Sequence, residues 1–199
     1  MAINKIALSK AIQSIIRERK YSPVHNCHLI AALTQKILTI YRVESKIVGG
    51  HAIWRVNNFA LSGVCARFFD GGKFRIDPFG VGSFFWVESN NCIVDYSTFW
   101  LPTKMAIIDR NYNNRKTLVM WRPDFIWMPK DKMLSWYDVT HGMKMGGHYR
   151  PEKGWNDKFV HRLEFTRKLF FNGDPEHDYH LPLISDLLED TLQRYREFQ

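Results

Sequence analysis

Residues 27–41 constrain the fold more than any other stretch. They begin at Cys27, His28, Leu29 and Ile30, continue through Ala31, Ala32 and Leu33, and end at Ile37, Leu38, Ile40 and Tyr41. The apolar positions recur on nearly every side of a 3.6-residue spiral, so this helix belongs inside a core and not on its surface. A turn containing Pro23 feeds it, with Ser22 or Asn26 available as the cap. Cys27 therefore falls at or beside the first helical position. Unpaired N–H groups and the positive end of the helix dipole favour thiolate over thiol there, and the thiolate is the nucleophile. Cysteine is also among the residues most often buried simply to fill space, so the position by itself is compatible with an inert thiol.

With 199 residues, 45% of them hydrophobic and 15% aromatic, the chain has material for one substantial domain, residues 1–199. No apolar run approaches the length of a membrane span. The N-terminus opens an amphipathic helix instead of a signal-peptide stretch. The cysteines are odd in number, Cys27, Cys65 and Cys92, which fits a reducing compartment and makes the cytoplasm the expected location. Net charge is +8, unevenly spread: +7 over residues 1–60, −1 over 61–100, +5 over 101–155 and −3 over 156–199. Such an excess can attract nucleic acid or an acidic partner, or can be no more than lysine-rich solvated faces.

Residues 3–20 carry Leu8, Ala11, Ile12, Ile15 and Ile16 at helical spacing. After the Cys27 helix the pattern turns to strands. Residues 46–56 are β-rich around the pair Gly49 and Gly50, which suggests a bulge or a close backbone approach. Residues 64–69 and 73–77 flank Asp70, Gly71 and Gly72, and residues 83–88 and 92–97 flank Ser89, Asn90 and Asn91, giving two hairpins. Short strands are expected over 117–121 and 125–128, helices over 157–171 and 182–198, while 134–155 has no readable period. Helices followed by antiparallel strands and a mixed tail give an α+β class.

In this order, the Cys-bearing helix, the strand with Trp86, Val87 and Glu88, and the next strand with Asp95 resemble the transglutaminase-like branch of the papain-like thiol enzymes. Residues 47–54 are similar to the strand that follows the Cys helix in an uncharacterised bacterial group of these domains. The resemblance covers residues 21–100, leaving 101–199 as a mixed extension. It implies a buried Cys helix packed on an antiparallel sheet, with Cys27 as nucleophile and Asp95 as the acid that orients a histidine base. The base position falls on Phe84, and a phenyl ring neither takes nor returns a proton. His51, on the strand after the helix, and His25, in the turn before Cys27, are the candidates to replace it. His28 points away from Cys27 at i+1.

Two functions follow. One is a cysteine-dependent hydrolase or acyl-transferase acting on an amide, peptide or thioester, with Cys27, Asp95 and His51 or His25 as catalytic groups and no cofactor. The other is a degenerate member that binds a protein or nucleic-acid partner. A zinc site at His25, Cys27 and His28 lacks a second ligand cluster, with only His177 and His180 at suggestive spacing. Arg110, Tyr112, Arg115, Lys116, Trp121, Arg122, Trp127 and Lys130 mix cations with flat rings. That mixture suits single-stranded nucleic acid, although such aromatics are as readily core residues.

Overall fold

The computed structural model describes residues 3–20, 27–57, 60–62, 68–70, 73–75, 84–110, 116–142, 144–151 and 184–199. Helix α1 spans Lys5–Glu18 and is capped by Asn4, whose side chain accepts from the Ala7 N–H at 3.1 Å. Its apolar stripe, Leu8, Ala11, Ile12, Ile15 and Ile16, is fully buried. Helix α2, Cys27–Ile40, starts at the expected cysteine and buries ten residues, as a helix apolar all round must. Its C-terminus turns on Arg42, at φ 57°. The Val43 N–H bonds back to Leu38 and the Arg42 N–H to Thr39, the paired bonds of a Schellman motif.

The strands are β1 (Lys46–Arg55), β2 (Ala60–Ser62), β3 (Phe68–Asp70), β4 (Lys73–Arg75), β5 (Phe84–Ser89), β6 (Cys92–Asp95), β7 (Ile126–Pro129) and β8 (Gly146–Pro151). They form one sheet in the order β4-β3-β2-β1-β5-β6-β7, with β8 also on β1, and every described pairing is antiparallel. The β5–β6 hairpin turns on Asn90 and Asn91, at φ 47° and 59°, the two left-handed positions that a tight two-residue turn requires. Asp70 pairs with Lys73 across the β3–β4 hairpin, as the glycine pair between them led one to expect. Helices α3 (Leu101–Ile108), α4 (Trp136–Thr140) and α5 (Ile184–Glu197), with short 3₁₀ helices at Thr98–Trp100 and Lys130–Lys132, complete the described elements. Helix α2 packs on β5, and α5 packs on both α1 and α2.

Within the expected mixed extension, β7 pairs with β6 and β8 pairs with β1, so both strands join the same sheet. Residues 117–121, expected as a strand, form none with the described residues. Among the described residues, the Met120 and Trp121 N–H groups both bond to one carbonyl, Val56 O, and the Leu118 carbonyl accepts from the Asn57 side chain, which is not a ladder. The unreadable stretch 134–155 contains α4 and β8. The helix expected over 157–171 lies outside the described residues.

Gly50 is where β8 meets the rest of the sheet. It pairs with Phe84 of β5 and with Pro151 of β8. A Cβ there would lie 2.2 Å from the Arg150 carbonyl oxygen and 2.9 Å from the Trp86 ring. The close approach suggested by the glycine pair is made at Gly50, and only glycine leaves room for it.

Candidate functional site

Side chains alternate across a strand, and antiparallel partners share a face, so register fixes which groups can meet. Val48 pairs with Trp86, Gly50 with Phe84, Ala52 with Tyr149 and Glu88 with Ile93. Phe84, Trp86, Trp54, Tyr149 and Asp95 therefore lie on one face. His51 pairs with Arg150 and lies on the other.

On the first face Asp95 is 3% exposed. The Tyr149 hydroxyl donates to its Oδ2 at 2.7 Å, and the Ser97 N–H donates to its Oδ1 at 2.7 Å. Tyr149 in turn accepts from the Trp54 indole N–H at 3.0 Å. The rings of Phe84 and Trp54 meet edge to face with centroids 5.1 Å apart, and Trp86 meets Tyr149 the same way at 5.3 Å. Lys104, buried on α3, places its ammonium 4.8 Å from the Trp54 ring centroid and 5.0 Å from that of Phe84.

Burial pushes the Asp95 carboxyl above its ordinary pKa, against the opposing pull of its bonds from Tyr149 and Ser97 and the charge of Lys104. Burial and the neighbouring Asp95 hold the Tyr149 phenol well above its usual value. Tyr149 is therefore a protonated donor at neutral pH, and not a base. Both oxygens of Asp95 are engaged, and neither of these bonds comes from a histidine. The arrangement holds a buried carboxyl between two hydrogen-bond donors in an aromatic setting.

The other expected residues are dispersed. Cys27 is the first residue of α2, 8% exposed and part of the main core. His28 is buried, and desolvation lowers its pKa from 6.5 to about 4. His51 is half-buried on β1, across the sheet from Asp95, so Asp95 does not orient it. His25 lies outside the described residues, as do His177 and His180. Among the described residues no three His, Cys, Asp or Glu side chains gather as metal ligands. Trp121 and Trp127 are packed partly against the core, the latter beneath the Lys5 ammonium at 4.5 Å. Tyr149, Trp54 and Lys104 escaped the sequence reading. Tyr149 stands 54 residues from Asp95, in a stretch without a readable period, and no local signal joins them.

No protein-family model matches the chain, and no curated protein matches it significantly. One similar solved structure is a crystal structure described only as a genomics target. It aligns over 98% of this chain and 78% of its own at a TM-score of 0.56 and 16% identity, a likeness of fold alone. Among the described residues no helix is long and apolar enough to cross a membrane.

Proposed function

We propose that this chain is a transglutaminase-like-fold protein whose catalytic constellation has been given over to packing, and that it binds a protein or nucleic-acid partner in the cytoplasm. The observation that carries this reading is the filling of the base position. Phe84 is fully buried beside Trp54, and Tyr149 occupies the Asp95 oxygen that an orienting acid would offer to an imidazole.

The placement of Cys27 at the N-terminus of a 14-residue helix favours a second reading, a cysteine-dependent hydrolase or acyl-transferase with His51 or His25 as base. Iodoacetamide labelling across pH 4–10, with mass spectrometry to resolve Cys27 from Cys65 and Cys92, separates the two. A binding protein should give slow labelling with an apparent pKa at or above the free-thiol value of about 8.5. Fast labelling with a midpoint well below that value would sink the binding reading and direct attention to the histidines.

A further inference from the structure

Helix α4 and strand β8 build a surface that the aromatic network on the opposite face of β1 does not use. Tyr137 is 69% exposed, and its ring stacks on exposed His141 with centroids 5.1 Å apart and planes 19° from parallel. Next to it in α4, Trp136 carries the Arg150 guanidinium 5.4 Å from its ring centroid. His51 is the direct cross-strand partner of Arg150, so it faces the same side. Lys144 is exposed, and its charge adds to the Ser135 hydrogen bond, the larger cause, in lowering the pKa of the Asp138 carboxyl. Residues 130–151 hold four cations and two carboxylates, and one of those carboxylates, Asp138, is tied to Ser135 at 2.8 Å.

An exposed Tyr–His stack presents a flat ring on which a base can stack. Flanked by exposed cations in a chain of net charge +8, it matches the two requirements for single-stranded nucleic acid, a stacking ring and a positive track for the backbone. We infer that the α4–β8 surface binds single-stranded nucleic acid, with bases stacked on Tyr137 and phosphates held by Lys144 and Arg150. This inference rests on the binding-protein reading and names its partner class. An acidic protein partner would use the cations and have little need of the stack.

The test is fluorescence anisotropy of the full chain with a fluorescein-labelled 12-nucleotide oligo(U), an unlabelled duplex of the same length as competitor, and polyglutamate as the acidic-protein probe. Tyr137→Ala should weaken oligo(U) binding about tenfold or more, and Tyr137→Phe, which keeps the ring, should restore it. Lys144→Ala should weaken binding and reduce the slope of log affinity against log salt by about one. Lys10→Ala on α1 should change neither property. Thermal melts confirm that each variant is folded, which the exposure of Tyr137 and Lys144 favours. Equal losses from Lys10→Ala and Lys144→Ala, indifference to Tyr137→Ala, tighter binding of the duplex, or Tyr137-dependent binding of polyglutamate in place of oligo(U) would each overturn the inference. Failure here with an inert Cys27 leaves the binding-protein reading standing, whereas an activated Cys27 removes that reading whatever the oligonucleotide does.

Discussion

His28 is a buried imidazole next to the cysteine, and its environment sets a pH dependence that can be isolated. Its folded pKa, about 4, lies below the unfolded value of 6.5. The stability it contributes is therefore fully present above 6.5 and is lost as pH falls through about 4. At about 1.4 kcal/mol per pH unit, the folded protein should lose roughly 3 kcal/mol by pH 4 from this group alone. Urea unfolding of the native chain and of His28→Phe at pH 4 and 7.5 isolates the effect, because the difference between the two proteins should change by that amount. An unchanged difference would mean that His28 is solvated. Asp95 has the opposite sign. Its pKa is raised on folding, so its contribution is present below the ordinary carboxylate pKa and is lost as pH rises through the folded value. Tyr149→Phe strips a donor from that carboxylate and an acceptor from the Trp54 indole. It should cost about 2–4 kcal/mol at pH 7.5, since two buried groups lose partners, and less at pH 4.5, where Asp95 is closer to neutral. Urea titrations at the two pH values give both numbers.

At the scale of elements, the informative strand is β8. It pairs along Gly50–Arg55 of β1 while β5 pairs along Lys46–Gly50, so a single residue serves both partners. Gly50→Ala places a methyl group against the Arg150 carbonyl and the Trp86 ring, and neither backbone nor a fully buried indole can yield cheaply. The change should destabilise by about 3 kcal/mol or more and loosen β8, bringing Tyr149 out of register with Asp95. Hydrogen exchange at the Tyr149 and Arg150 amides would report the loosening, and native-like protection in the variant would show that the strand had found another path. Elements specified by neighbours in sequence were legible beforehand: α1 from its apolar stripe, the start of α2 from its composition, and the β5–β6 hairpin from Asn90 and Asn91. The pairing of β8 with β1 was not, because residues 95 apart meet there, as Trp54 and Tyr149 do, and no local pattern encodes the meeting. Residues 117–121 misled for the converse reason. Thr117, Leu118, Val119 and Trp121 have strand propensity, and what decides a strand is the partner it finds. Of the candidate site, Cys27, Phe84 and Asp95 could be read as positions. Their chemistry could not, since the donors to Asp95 come from Ser97 beside it and from a distant tyrosine.

For the molecule as a whole, the two ends of the described chain share one core. Helix α5 packs on both α1 and α2, and the Tyr195 hydroxyl accepts the Asn4 N–H at 3.0 Å from 191 residues away. Tyr41 meets the Tyr195 ring edge to face at 5.3 Å, just past the end of α2. The ion pairs Arg19–Asp190, at 2.5 Å, and Arg194–Glu18, at 2.8 Å, link α1 to α5, but their side chains are roughly two-fifths to half exposed, so screening leaves them little weight. What joins the helices is the burial of Leu187 and Tyr195 against the first two. Leu187→Ala should therefore cost about 2–5 kcal/mol, with the sheet and the helices still melting together. A chain ending at residue 183 loses the cover from α1 and α2 at once. It should unfold without a sharp transition and bind a hydrophobic dye, whereas Arg194→Ala should shift the midpoint only slightly. A truncated chain that keeps a cooperative melt near the original midpoint would mean that the Cys27 helix and its sheet stand alone. The aromatic filling around Asp95 would then have to be explained without the helical layer that closes the core.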